Sequence, residues 1–212
     1  PEPPMTNPLC PDPRQPFFDS IADAWDGWHD LPALNAQLAD FFEHVGVQPD
    51  ESVVDVGCGT GNLTLALLAW LGPQGRVTAL DISPAMLARA ARKTTDARVT
   101  WHEAPADRIP LPNGTCDRIL CFSAWPHFDR LDHVVAEFSR VLCPGGQAHI
   151  LHLISKEEVN RIHSEAHPTV RADRLPPVDD VADLFRANSF TVIETEDNAS
   201  RYLLSVRKEP RA

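Results

Sequence analysis

Hydrophobic positions change their period along this chain. "LPALNAQLADFFEHVGV" places Leu31, Leu34, Leu38, Phe41, Phe42 and Val45 three or four residues apart, the spacing of one helix face. Gly46 and Pro49-Asp50 then predict a stop and a turn. From residue 52 short apolar runs alternate with helical ones. Strands are predicted over 52 to 57, 76 to 82, 98 to 104, 116 to 123 and 147 to 154, with helices over 62 to 71, 83 to 93 and 130 to 142. A proline-rich loop through Pro112 precedes the fourth strand, and "PGG" is expected to turn the chain into the fifth. Several of these strands are apolar throughout, as parallel strands covered on both faces must be. The fold class is α/β.

The tail has another character. "SKEEVNRIHSEAH" (155 to 167) opens on Ser155 with Glu158 three residues on, the capping-box spacing of a helix start. "VDDVADLFRANSF" predicts a helix ending near Asn188, and "TVIETE" and "RYLLSVRK" predict a closing strand hairpin. Residues 17 to 212 are read as one domain, and the proline-rich residues 1 to 16 as a flexible arm outside it.

Composition narrows the partners. Charged residues are 23% and hydrophobic ones 43% of the 212, ordinary for a globular domain. The net charge is -11 and the longest basic cluster is "ARAARK", so no nucleic-acid partner is expected. No apolar run is long enough to insert in a membrane, and the first residues lack a signal-peptide pattern, so the expected location is the cytoplasm. Cys10, Cys58, Cys116, Cys121 and Cys143 show no CxxC spacing and are expected to be free thiols. Oligomeric state leaves no mark in the sequence.

The chemistry is concentrated in "VVDVGCGTGNLT". A strand ending in Gly57, Gly59 and Gly61 and opening into a helix turns bare backbone N–H groups and a positive helix end toward a ligand. Asp81, twenty positions after Gly61 in "TALDIS", stands where a carboxylate accepts hydrogen bonds from a ribose diol. A nucleoside is therefore expected. The glycine phase is GxGxG, with Asn62 where a dinucleotide fingerprint has its third glycine, and Asp55 inside the strand would repel a pyrophosphate. An ammonium or sulfonium group suits Asp55 better, which disfavours an NAD-dependent oxidoreductase.

"VVDVGCGTG", "ALDIS", "HEAPADRIPLPNGTCDRILCFSAWPHF" and "RVLCPGGQAHIL", taken in order, resemble the motifs of the class I S-adenosylmethionine-dependent methyltransferases, in the small-molecule (type 11) branch that includes the ubiquinone/menaquinone C-methyltransferases. The resemblance runs from about residue 17 to 154. It implies a Rossmann-like three-layer sandwich, with a mostly parallel seven-stranded sheet ending in an antiparallel hairpin. It also implies S-adenosylmethionine as cofactor, S-adenosylhomocysteine as product, and a lid over residues 17 to 46. Gly57, Gly59 and Gly61 would pack against the methionine part and ribose, Asp55 would hold the amino-acid end and Asp81 the ribose hydroxyls. Ile82 and Met86 would contact the adenine face. Glu103 and Ala104 stand where the family has Asp-Ala, the carboxylate for the adenine amino group and the backbone N–H for a ring nitrogen. Phe122 and Ser123 would lie near the reacting methyl group. Cys143 departs from the family's usual Lys or Arg before the PGG turn.

Methyl transfer from a sulfonium needs mainly alignment and, where necessary, removal of a proton. "FSAWPHF" replaces the NPPY-type loop of amide and adenine N-methyltransferases, which favours a small-molecule acceptor. The candidate catalytic bases are His127, beyond the fourth strand, and His152, near the carboxyl end of the fifth. No metal is expected, although His152, His163 and His167 raise a three-imidazole site as an alternative. A sensor or metal-handling protein that binds S-adenosylmethionine without transferring its methyl group is the competing function. Residues 155 to 176 are expected to be a substrate-side insertion, with Arg161, Arg171 and Arg174 available to an anionic acceptor. Trp25, Trp28, Trp125 and Phe17 offer aromatic surface for an apolar pocket.

Overall fold

A strand that leaves the sheet for a helix and returns parallel sets the architecture. The computed structural model describes residues 12–210. The strands β1 (Ser52–Val56), β2 (Arg76–Asp81), β3 (Val99–Glu103), β4 (Cys116–Phe122), β5 (Leu142–His152), β6 (Phe190–Asp197) and β7 (Tyr202–Lys208) form one sheet in the order β3-β2-β1-β4-β5-β7-β6. The first five strands run parallel, and β7 is inserted antiparallel between β5 and β6. The helices are α1 (Gln15–Ile21), α2 (Leu31–His44), α3 (Asn62–Trp70), α4 (Pro84–Lys93), α5 (Leu131–Val141), α6 (Lys156–Glu165) and α7 (Val178–Arg186).

Alternation along β1 divides the core between the sheet's two faces. Val53 packs with Leu38, Phe41 and Phe42 of α2 and Leu63 and Leu67 of α3. Val54 and Val56 pack on the opposite face with Phe138 of α5, Phe185 of α7 and Trp125. Burial of such side chains stabilises by about 1.5–3 kcal/mol each. The order reverses direction between β1 and β4, and in open α/β sheets the crevice at such a switch is where ligands bind.

Three boundaries differ from the sequence reading. Pro144-Gly145-Gly146 is not a turn ahead of β5 but lies within it: Cys116 pairs with Leu142, and the register then shifts to Arg118 opposite Gln147. Gly145, at φ +81°, absorbs the irregularity. Ser155 does cap α6, accepting from the Glu158 N–H at 3.1 Å, but the helix stops at Glu165 and Ala166 is extended. His163 and His167 therefore do not share a helix face. Residues 1–11 of the proposed arm lie outside the described residues, while its last part is folded: Arg14 is buried and Gln15 begins α1.

Strand β6 forms one edge of the sheet. Its side chains alternate between part-buried and exposed, its pairing with β7 shifts between Val192 and Glu194, and it carries Glu194, Glu196 and Asp197.

Candidate active site

At the carboxyl ends of β1 to β4 lies a cavity of about 860 Å³. Its floor is the strand ends, with Asp55, Gly57, Cys58, Gly59, Asp81 and Glu103 among the lining residues. Phe18, Trp25 and His29, from α1 and the turn of 3-10 helix at Trp25–Trp28, form its roof. Acidic side chains tie that roof down. Asp19 accepts from the Ser83 hydroxyl at 2.6 Å and the Ala85 N–H at 3.2 Å. Asp26 accepts from Thr60 Oγ1 at 2.6 Å and Asn62 Nδ2 at 3.2 Å, and pairs with Lys93 at 2.6 Å.

The loop after β1 turns on glycines. Gly57, Gly59 and Gly61 have φ of +73°, +52° and +82°, a region that side chains with a Cβ rarely enter. They do different work. A Cβ on Gly57 would stand 2.5 Å from that of Ala124, whereas one on Gly59 would meet only Trp25 Nε1 at 3.9 Å, facing the cavity. A Cβ on Gly61 would come within 3.0 Å of both Ala90 and Trp101. Gly61 is not among the cavity-lining residues, so as placed it lets α3 start close to α4 and β3 rather than meeting a ligand.

The two aspartates differ in their surroundings. Asp55 is buried and accepts from Thr64 Oγ1 at 2.5 Å. Burial pushes its carboxyl up to about 7, against the Thr64 hydroxyl and with help from the charge of Asp81. Burial also raises Asp81, opposed by the N–H groups of Ser83 at 2.9 Å and Gly59 at 2.8 Å that pin its two oxygens. Each Asp81 oxygen keeps a lone pair for another donor. Cys58 lies beside both carboxylates, and its buried thiol is raised well above the usual range.

Ile82, Met86, Glu103, Ala104, Phe122 and Ser123 also line the cavity. Ser123 has φ +55° at the end of β4, the kind of strained backbone that clusters at functional sites. The Ala104 N–H is already engaged by the Asp81 carbonyl at 3.0 Å, and Pro105 has none to offer. The backbone donor expected for an adenine ring nitrogen is thus absent at Ala104 as placed.

The two candidate bases separate. His127 lines the cavity together with Ala124 and Phe128, and its Nδ1 lies 2.7 Å from Asp173 Oδ2. His152 does not line it: the side chain is 2% exposed, edge-on to Tyr202, with Nε2 lacking a hydrogen-bond partner. Its neutral form is favoured by burial, which holds it down at about 3, with His127 and His163 adding repulsion. No residue of the 155 to 176 segment lines the cavity, which that segment approaches through Asp173 beneath His127. Arg161 is paired with Glu158 and Glu165, and Arg171 and Arg174 bond backbone carbonyls.

Other expected contributors are distributed elsewhere. Trp25 roofs the cavity, Trp28 is exposed, Trp125 is buried in the core and Phe17 stacks on His167. His152, His163 and His167 do not form a metal-ligating group. Among the described residues the group within such reach is His44, Glu194 and Glu196, of which Glu196 is paired with Arg201. The sequence reading missed Phe18, Arg14 and Asp173. Phe18 is next to a residue it did single out, while the other two carried no local signal.

Comparison with known proteins gives the same picture. A family profile described as a methyltransferase domain matches residues 53–146. The ubiquinone/menaquinone biosynthesis C-methyltransferase UbiE of Hahella chejuensis is 29% identical over 166 residues, 75% of this chain and 66% of that protein. Its namesake in Teredinibacter turnerae is 33% identical over 141 residues, 63% of this chain and 57% of its own length. This chain spans between about half and two thirds of the curated relatives it matches. A SAM-dependent methyltransferase from Aquifex aeolicus has the same fold, with a TM-score of 0.73 at 21% identity over 89% of this chain and 97% of that one.

Proposed function

Since the chain belongs to the class I S-adenosylmethionine-dependent methyltransferases, in the branch of the ubiquinone/menaquinone C-methyltransferases, we propose that it transfers the methyl group of S-adenosylmethionine to a small-molecule acceptor. The observation that carries this reading is the charge of the cavity floor. Asp55, Asp81 and Glu103 line it, and among the described residues none of them is in an ion pair. Three acidic groups without a cation, two of them raised by burial and so ready to ionise when a cation arrives, suit a ligand that brings an ammonium, a sulfonium and a hydroxyl-rich sugar, and oppose one that brings a pyrophosphate. Gly59, whose absent Cβ would meet only Trp25 Nε1 at 3.9 Å, leaves no side chain between that floor and the ligand.

In this reading Asp55 receives the amino-acid end, Asp81 the ribose hydroxyls, and Glu103 the adenine amino group, with Ile82 and Met86 against the adenine face. S-adenosylmethionine, when bound, supplies a methyl group that its sulfonium makes electrophilic. The roof of Phe18 and Trp25 excludes water, and Phe122, Ser123 and Phe128 hold the acceptor in line with that methyl. His127 takes the acceptor's proton at Nε2. The relatives' named role in quinone biosynthesis makes a hydroxylated ring the acceptor class to test first.

Isothermal titration with S-adenosylmethionine and S-adenosylhomocysteine, followed by detection of S-adenosylhomocysteine formed with hydroxylated aromatic acceptors, tests the proposal. Binding of both and acceptor-dependent product are expected. Binding of neither, with or without acceptors, would overturn it.

A further inference from the structure

Three segments far apart in sequence meet at one carboxylate. Asp173 Oδ2 lies 2.7 Å from His127 Nδ1 and accepts from Arg14 Nε at 3.0 Å; its Oδ1 accepts from Arg14 Nη2 at 2.9 Å. The same Nη2 donates to Asp129 Oδ1 at 2.7 Å. Arg14 and Asp173 are 9% and 6% exposed, so this fork is desolvated, unlike the exposed pairs that contribute little. Burial alone would raise Asp173, but the hydrogen bonds from His127 and Arg14 prevail and hold it below the usual carboxylate range. It is therefore an ionised, acceptor-only group.

A carboxylate that only accepts requires Nδ1 of the neutral imidazole to carry the proton. Nε2 is then a bare lone pair, the form a base needs. Arg14 stands immediately ahead of α1, whose Phe18 roofs the cavity and packs edge-on against His127. We propose that Arg14 and Asp173 are positioning residues for His127: docking of the segment ahead of α1 fixes Asp173, Asp173 fixes the His127 tautomer, and roofing the cavity and arming the base become one event. The inference rests on the reading of His127 as base given above.

The tautomer makes this testable. His127 is faced by Asp173 from the segment after α6, Arg14 from ahead of α1, Asp129 in its own loop, His163 of α6 with ring centroids 4.9 Å apart, Asp81 at the end of β2 and His152 of β5. Within this set Asp173 is the acceptor that meets Nδ1, and Arg14 is the group that holds it there.

The test is the side-chain ¹⁵N spectrum of His127 at pH 8 in the ligand-free full chain, its signals assigned by their loss in His127→Gln. The neutral wild-type ring is expected as the Nδ1–H tautomer. Arg14→Gln is expected to turn the single tautomer into a mixture, Arg14→Lys should stay near wild type, and Asp173→Asn, which can present an amide N–H where the acceptor stood, should populate the Nε2–H form. If Asp173→Asn does not fold, the two Arg14 variants carry the comparison. An Nε2–H tautomer in the wild type at pH 8, or an unchanged single tautomer in Arg14→Gln, would overturn the inference. Failure to bind S-adenosylmethionine would instead sink the methyltransferase proposal and leave the His127 result standing.

Discussion

Thr64 donates its hydroxyl to the carboxylate of Asp55 across 2.5 Å inside the protein, where the turn from β1 into α3 brings the two together. The hydroxyl and N–H of Thr64 together do not offset burial, which pushes the Asp55 carboxyl up to about 7. A ligand ammonium or sulfonium favours the ionised form, so binding below pH 7 must release a proton. Affinity for S-adenosylmethionine is expected to weaken as pH falls below 7, by at most about tenfold per unit, and to level off above 8. Calorimetry in two buffers of different ionisation enthalpy reads the released proton directly. A constant affinity from pH 5.5 to 8 would remove Asp55 from the ligand's amino-acid end.

The same aspartate weighs on the ligand-free protein. Its folded pKa lies above its unfolded value, so its stabilising contribution is full below the unfolded pKa and is lost as pH rises toward 7. Asp55→Asn is expected to be more stable than wild type at pH 8, by on the order of 2–4 kcal/mol, with the advantage shrinking toward pH 4. Denaturant midpoints at several pH values measure this. A variant less stable at pH 8 would mean that the ionised carboxylate has a favourable partner.

The glycines after β1 should not respond alike to a methyl group. Gly57→Ala must displace Ala124 as well as hold φ +73°, and a loss of roughly 2–5 kcal/mol is expected from crowding and backbone strain together. Gly59→Ala, with nothing nearer than 3.9 Å, should cost roughly 1–2 kcal/mol from strain alone while weakening nucleoside binding. Thermal unfolding beside titration separates the two effects, and equal loss of stability in both variants would contradict the packing argument.

Removal of the Asp26 carboxylate undoes the contacts with Thr60, Asn62 and Lys93 that hold the roof to the glycine loop. Asp26→Ala is expected to speed S-adenosylhomocysteine release about tenfold, the equivalent of one to two part-buried hydrogen bonds. Stopped-flow dissociation checks it. An unchanged release rate would show that this contact does not hold the roof in place.

Arg118 supplies a control away from the site. It is 4% exposed, binds Glu51 through Nε and Nη2, and lies 2.7 Å from His149 Nε2. None of these partners lines the cavity. Arg118→Met leaves the part-buried Glu51 carboxylate without its partner and is expected to lower stability, read from the denaturant midpoint, by about 2–3 kcal/mol, with little change in S-adenosylhomocysteine affinity.

Elements with their own period were legible in the sequence. The apolar spacing of α2, the continuous runs of β1 and β4 and the capping serine of α6 all appear where the pattern placed them, within a residue or two. What pattern alone does not carry is register. Pro144-Gly145-Gly146 looks like any turn until Cys116 pairs with Leu142 across it and makes it part of β5. Gly61 belongs visibly to the glycine loop, but its neighbours Ala90 and Trp101 lie on other elements. His152, at the expected end of its strand, is turned into the interior against Tyr202. The pairing of Arg14 with Asp173 spans 159 positions, and nothing in either residue's surroundings announces the other.

Strand β6 bears on how the molecule behaves in company. An open strand edge is a template on which another chain can add itself, and long flat edges invite fibrillar growth. Here the pairing with β7 shifts between Val192 and Glu194, and Glu194, Glu196 and Asp197 are engaged by His44, Arg201 and Lys156. A strand added at this border would have to match an irregular register and desolvate three ion pairs, which makes it a poorer template than a flat apolar edge.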